Sequence, residues 1–436
     1  MEAIVPGGDA RALALLTLID YEKRDAYPGA LLSSRLGRSR LDRRDKAFVV
    51  ELVQGVLRMK STLDWMLAGF SRRPIETLDP GVRWALRLSA YQIRFTSVPD
   101  YAAVDMTARA TAEVIGRHAV GYVNAVMRAF LKGFEDVRYP DKSKDQAGYL
   151  EARYSHPEWI AEMWVRELGF DRAESVCAAD NTSPPLSLRT NLFRVTRERL
   201  SASLREKGIE VAYGELTDEC VNVKGSGPLS DLEEFKRGWF TVQDQGSQIV
   251  SHLLDPRGGM SVLDMCAAPG GKANHIAELM GNEGSVLALD SNGARLRMVG
   301  ETAERLGNTC VSTMEIDAAV ASDSIDRVFD RVLLDAPCSG LGTLARRPDA
   351  RWRKQPGDID RLASLQTKLL AQAARMVAPG GLLVYSTCTI SQRENAGVVG
   401  EFMKNARGFV GETRLQLFPD THRCDGMFAA VMRKNA

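Results

Sequence analysis

The chain of 436 residues has no apolar run approaching the ~18 residues needed to cross a bilayer, so no membrane span is expected. Its opening, Met1 to Asp9, lacks the basic start, apolar stretch and small-residue cleavage site of a secretory signal, and export is not expected. The seven cysteines form an odd, scattered set with none of the paired short spacings of a zinc site, which fits reduced thiols in a cytoplasmic protein. The five histidines, His118, His156, His252, His275 and His422, show no ligand spacing, so no metal is expected. Neither a G-x-G-x-x-G nor a G-K-[ST] pattern is present, which removes the dinucleotide fingerprint and the P-loop. Internal repeats and low-complexity tracts are missing too. So is charge of one sign: 57 Lys and Arg against 56 Asp and Glu leave a formal +1. The first 140 residues nevertheless carry a mild basic excess, which permits nucleic acid without demanding it.

What is there suffices for several cores. The length exceeds one ordinary domain, and 44% of the residues are hydrophobic. The first third reads as helix after helix. Val49, Leu52, Val53 and Val56 share one face behind a capping Asp42, and Val82, Leu86 and Ile93 do so behind Asp79-Pro80. Helices over about 102–115 and 119–130 complete an all-α bundle over 1–140. Pro140-Asp141-Lys142-Ser143-Lys144 has linker character. Residues 150–240 mix helix with short β-rich runs at 186–189 and 209–211, a small α+β module. From 241 to 436, apolar strands at 261–265, 285–289, 331–334 and 382–385 alternate with helical stretches such as 294–306 and 359–377. That is the rhythm of a Rossmann-like α/β domain, whose ligands bind beyond the carboxyl ends of the strands.

The first of these strands runs into Ala267-Ala268-Pro269-Gly270-Gly271-Lys272, where small residues let backbone approach a ligand and a helix N-terminus offers unpaired N–H groups. Asp290 ends the next strand about 20 residues later, where a carboxylate can accept ribose hydroxyls. Asp317 follows a further strand and could bond an adenine amino group; alone it would read as a turn aspartate. Asp335-Ala336-Pro337-Cys338 and Ser386-Thr387-Cys388 leave two more strands at the same edge. A cysteine is usually a small buried hydrophobe, and Cys177, Cys220 and Cys310 are read so. Two thiols beside a nucleoside loop suggest chemistry instead. Carbon 5 of cytosine is a poor nucleophile, but adding a thiolate to carbon 6 makes the ring an enamine that can attack a sulfonium methyl. Lys272 would favour the thiolate, Asp335 would bond the N3 and N4 edge of the base, and the second thiol would serve product release. Arg346-Arg347-Pro348-Asp349-Ala350-Arg351-Trp352-Arg353-Lys354 interleaves cations with an indole. Arg346, Arg347, Arg351 and Arg353 are therefore expected to contact RNA.

At Leu263-Asp264-Met265-Cys266-Ala267-Ala268-Pro269-Gly270-Gly271-Lys272, Asp335-Ala336-Pro337-Cys338-Ser339-Gly340 and Ser386-Thr387-Cys388 with Glu394-Asn395, the chain resembles the RNA cytosine-5 methyltransferases of the Nol1/Nop2/Sun group. The resemblance implies an S-adenosylmethionine-dependent methyltransferase domain. It implies cofactor contacts from Cys266, Ala267, Ala268, Pro269, Gly270, Gly271, Lys272, Asp290, Asp317 and Asp335, with Cys388 as nucleophile and Cys338 assisting release. Asp42 to Ala47, Glu51 to Arg58 and Val123 to Arg128 resemble the NusB-like bundle that precedes the bacterial small-subunit rRNA enzymes; Pro185 to Asn191 and Phe240 to Gln245 resemble their middle module. The implied substrate is one cytosine of 16S rRNA, with another rRNA position or a tRNA as the alternative, and no obligate protein partner is evident. Thr389 and Ser391-Gln392-Arg393 depart from the usual residues and bear on the target nucleotide. A silent RNA-binding scaffold would need a damaged cofactor loop or a missing nucleophile. A small-molecule methyltransferase would leave Cys388 and the helical front without work.

Overall fold

A computed structural model describes residues 9–225 and 227–436; the opening stretch read for an export signal lies, up to residue 8, outside the described residues. The chain forms two compact units, Met1–Asn181 with Arg347–Arg353, and Thr182–Arg346 with Lys354–Ala436. No described helix is long and apolar enough to cross a membrane.

The first unit is all helix. Asp42 accepts a hydrogen bond from the Asp45 amide and starts Arg43–Arg58, whose Val49, Leu52, Val53 and Val56 are fully buried. Asp79 accepts from the Gly81 amide and Pro80 occupies the first turn of Pro80–Phe95. Asp100–Val114 and Arg117–Gly133 follow, the latter burying Val123, Val126, Met127 and Phe130. The unit continues past residue 140 to Asn181. The polar stretch is a surface loop, and the helices beyond it, Gln146–Tyr154, Glu158–Leu168 and Phe170–Asp180, return to the bundle with Leu150, Ile160, Trp164 and Val176 buried. The Ser61 amide donates to Oγ of Ser155, and the Trp65 indole to the carbonyl of Arg138. Composition locates a loop; packing decides whether it separates domains.

Part of the basic segment belongs to this unit and is not presented to solvent as expected. Arg351 is fully buried. Its Nη1 donates to the carbonyls of Arg58 at 3.1 Å and Ser155 at 2.8 Å, and to Oδ1 of Asn181 at 3.1 Å. Trp352 donates to the Leu57 carbonyl at 2.6 Å and lies under the Lys60 ammonium. Arg353 pairs with Asp25 at 3.1 Å and stacks on Tyr27. Five N–H donors on one planar group can satisfy several helix-end carbonyls at once, which water cannot reach here.

The second unit holds two sheets. Strands β1 (Leu186–Thr190), β2 (Glu210–Tyr213), β3 (Cys220–Lys224) and β4 (Phe240–Val242) form an antiparallel sheet in the order β2-β3-β1-β4 around Leu188, Leu200, Val221 and Phe240. Strands β5 (Ser261–Asp264), β6 (Ser285–Asp290), β7 (Val311–Glu315), β8 (Phe329–Asp335), β9 (Val377–Thr387), β10 (Phe409–Gln416) and β11 (Phe428–Lys434) form the larger sheet, ordered β10-β11-β9-β8-β5-β6-β7. The five strands β5 to β9 are parallel; β10 and β11 close one edge antiparallel. The order reverses between β5 and β8, and the crevice beyond their carboxyl ends is the position where such sheets bind ligands. Arg189 on β1 ties the small sheet to this one: its guanidinium is buried against Glu278 at 2.8 Å and donates to the carbonyl of Gly271 at 2.7 Å.

Replacing Arg351 with methionine is expected to lower the unfolding free energy by roughly 2–4 kcal/mol, since buried carbonyls lose their donor. Urea denaturation measures this. Unchanged stability with weakened RNA binding would return Arg351 to the phosphate-contact role.

Candidate active site

The loop after β5 is pinned from both sides: the Met265 amide donates to the Leu333 carbonyl on β8 and the Ala267 amide to the Leu289 carbonyl on β6. Gly270 then takes φ +104°, and a Cβ there would stand 2.9 Å from Cα of Val299, so glycine is required twice over. The helix Gly271–Leu279 that follows has no side-chain cap, leaving its first amides for a ligand. Asp290, at the end of β6, accepts from the amides of Ala268 at 3.3 Å and Asn292 at 2.9 Å, and Arg295 donates to the Ala268 carbonyl at 2.7 Å. Asp317 is exposed and caps a short turn through the Ala319 amide at 2.9 Å.

This edge is acidic. Cys266 is pushed up, first by burial and then by the charges of Asp264, Asp335, Asp290 and Asp317, and stays a thiol. Asp264, fully buried at the end of β5, has its carboxyl pushed up to about 7 by burial and by Asp335. Sequence reasoning quoted Asp264 in a motif without assigning it a role; its environment is set by neighbours far along the chain. Lys272 is the cation in this group. Burial works to lower its pKa, but Asp335 at 2.7 Å more than offsets that and the ammonium is held charged. Ser386 donates to the other Asp335 oxygen at 2.7 Å, fixing the carboxylate.

The parallel pairing of β8 with β9 sets Asp335 opposite Ser386, and the two following turns bring Sγ of Cys338 and Sγ of Cys388 to 3.4 Å. Both residues are half-buried. A hydrogen bond from Cys338 lowers the pKa of Cys388, with Lys272 adding to it against burial and Asp335. Cys338 is raised by the same bond, by burial and by the negative charges of Cys388 and Glu394. The pair is therefore unequal: Cys388, on the lysine side, is the thiol more readily ionised, and Cys338 the one that holds its proton.

Glu394 and Asn395 hold both turns. The buried Glu394 carboxylate accepts from the Ser339 amide at 2.8 Å, the Ser339 hydroxyl at 2.5 Å and Gln366 at 3.1 Å. Asn395 accepts from Thr387 at 2.6 Å and donates to the carbonyl of Thr389 at 2.9 Å. Of the remaining expected site residues, Arg346 is engaged by Asp244 at 2.8 Å and Asp425 at 3.0 Å, with Arg347 exposed. Arg351 and Arg353 lie in the first unit, bonded as described above.

Residues 251–433 match the family described as 16S rRNA methyltransferase RsmB/F, 8–132 the NusB family, and 156–230 the ferredoxin-like domain of RsmF/B-like methyltransferases. A probable ribosomal RNA small subunit methyltransferase B of Bacillus subtilis is 37% identical, over 97% of this chain and 98% of its own. The ribosomal RNA small subunit methyltransferase B of an Escherichia coli strain is 32% identical, over 90% of this chain and 91% of its own. The crystal structure of PH0851 superposes with a TM-score of 0.82 at 25% identity, covering 98% of this chain and 99% of that one. A methyltransferase homologue from Pyrococcus horikoshii gives 0.60 at 27%, covering 68% and 100%.

Alkylation of Cys388 by iodoacetamide, followed by peptide mass spectrometry, is expected to rise through an inflection below that of an ordinary thiol. Lys272→Gln should move the inflection to higher pH, because a charge favouring the thiolate is gone; an unmoved inflection would separate the lysine from thiol activation. For Asp264 the folded carboxyl titrates at about 7 against an ordinary 3.8. The folded state therefore holds the extra proton between these values, and stability falls as pH rises from 3.8 to 7. Asp264→Asn should remove that fall, making the variant more stable than the parent at pH 8 by thermal denaturation and not at pH 4.

Proposed function

The chain belongs to the 16S rRNA methyltransferase RsmB/F family of RNA methyltransferases, and from that premise we propose that it methylates carbon 5 of one cytosine in 16S rRNA, with S-adenosylmethionine as methyl donor. The observation that carries this reading is the pair of sulfurs at 3.4 Å, with Cys388 lowered and Cys338 raised, beside the Lys272–Asp335 ion pair. The crevice fits the donor: uncapped helix amides behind Gly270, a fixed Asp290 and a ring of carboxylates suit a nucleoside that carries positive charge. Backbone from Cys266 through Lys272, with Asp290, Asp317 and Asp335, would hold it, and when bound it supplies an electrophilic methyl group.

The residues divide the work. Asp335, fixed by Lys272 and Ser386, bonds the N3 and N4 edge of the base and favours a protonated ring. The Cys388 thiolate adds to carbon 6, forming the S–C6 bond and moving an electron pair toward carbon 5. After carbon 5 has taken the methyl group, it gives up its proton to solvent water, the C5–H pair forms the C5–C6 double bond, and the S–C6 bond breaks with its pair returning to Cys388 sulfur. Cys338, 3.4 Å away, then donates its S–H to the departing thiolate. Of the four arginines in the basic segment, Arg347 is the one left for a phosphate contact, and the NusB-like bundle and the ferredoxin-like module are proposed to bind RNA.

Labelled S-adenosylmethionine with purified 16S rRNA tests the reading, with free nucleosides as control. Cys388→Ala is expected to abolish incorporation without leaving any adduct. Cys338→Ala should slow release and accumulate a protein–RNA adduct that survives denaturation and migrates slowly on a gel. An adduct in Cys388→Ala would reverse the two assignments. Label appearing at a position other than cytosine C5 would overturn the chemistry.

A further inference from the structure

Along the chain Glu219, His252 and His275 show no ligand spacing, but the fold brings them together away from the thiol pair. Glu219 directly precedes β3 of the small sheet; His252 lies in the helix Gln245–Leu253 and His275 in the helix Gly271–Leu279. Nε2 of His252 is 2.8 Å from Oε1 of Glu219, and Nε2 of His275 is 3.0 Å from the same oxygen. The two rings meet edge to face with centroids 5.2 Å apart. One donor atom from each residue falls within 4.8 Å of the others. His275 is 2% exposed, and neither of its ring nitrogens makes a hydrogen bond. At 3.0 Å the carboxylate oxygen is close enough but off the direction in which Nε2 would donate. A buried ring nitrogen costs free energy unless something satisfies it.

We infer that these three residues form a divalent-metal site of the two-imidazole, one-carboxylate type, with Zn²⁺ as the natural occupant and a fourth position open to water on the half-exposed His252 side. The donor set and the shared focus are what zinc takes. Arg189 is the neighbouring cation that would oppose a metal, and its charge is already taken by Glu278 at 2.8 Å. The exposed Asp218 adds negative charge beside His252. A metal here joins the small sheet to two helices of the large one. His275 follows Lys272 by three residues on the same helix, so the ion would brace the element that carries the site lysine.

The test is Zn²⁺ titration of the full chain after chelator treatment, by calorimetry, with thermal denaturation in parallel. One equivalent is expected to bind and to raise the melting temperature. His252→Ala, at a half-exposed position, and the isosteric Glu219→Gln should each weaken binding by about tenfold or more while circular dichroism is unchanged. Because the chain has seven cysteines, Co²⁺ substitution reports the donor type: nitrogen and oxygen ligands give no intense thiolate-to-metal band. An intense thiolate band, affinity unchanged in both variants, or no Zn²⁺ binding at all would overturn the proposal, the last leaving a hydrogen-bonded His–Glu–His cluster. Should His252→Ala fail to fold, Glu219→Gln decides.

Discussion

Two adjacent parallel strands ending in register place two sulfurs in contact, and their surroundings make the two thiols unequal. The Ala336 amide donates to the Ser386 carbonyl at 2.8 Å, and the Gly342 amide to the Cys388 carbonyl at 3.0 Å, so the turn after β8 and the turn after β9 move as one piece. Within that piece Lys272 faces Cys388 and Glu394 faces Cys338. Opposite charges on the two sides favour ionisation of Cys388 and hold the proton on Cys338.

The cost of that asymmetry appears around it. A charged lysine, Asp335 and a buried glutamate are gathered at one sheet edge, and each is held by a specific partner. Asp335 is engaged through both oxygens. Glu394 is raised by its own burial yet accepts three close hydrogen bonds. Asp264, without a charged partner of its own, responds instead by keeping its proton toward neutrality. Polar groups connected like Asp335 and Glu394 become rigid, so the two sulfurs are held in one arrangement. Arg189 and Asn191 extend the same bracing outward. Asn191 donates to the carbonyls of Gly238 and Leu306, at 3.1 and 3.0 Å, fastening the small sheet to the end of the helix Gly293–Leu306.

Much of this was legible in advance where the signal is local. Helix faces such as Val49, Leu52, Val53 and Val56, the caps Asp42 and Asp79, and the core of four apolar strands follow from period and capping chemistry. These act between residues a few positions apart. The glycine turn at Gly270-Gly271 and the thiols just past two strand ends were readable for the same reason: a parallel strand delivers its last residues to one known edge. The strands β10 and β11 were not, because their pairing partners lie far along the chain.

The sequence by itself determined the elements, the nucleoside-type loop and the pair of cysteines, since these rest on backbone preference and on short-range periodicity. Only the tertiary structure decided which sulfur gives up its proton, which arginines of the basic segment are consumed by carbonyls and carboxylates, and that Glu219, His252 and His275 share one focus. Charge state and solvent access depend on every neighbour within a few ångströms. Those neighbours come from β8, β9, the cofactor loop's helix and the small sheet together, a grouping that no stretch of sequence contains.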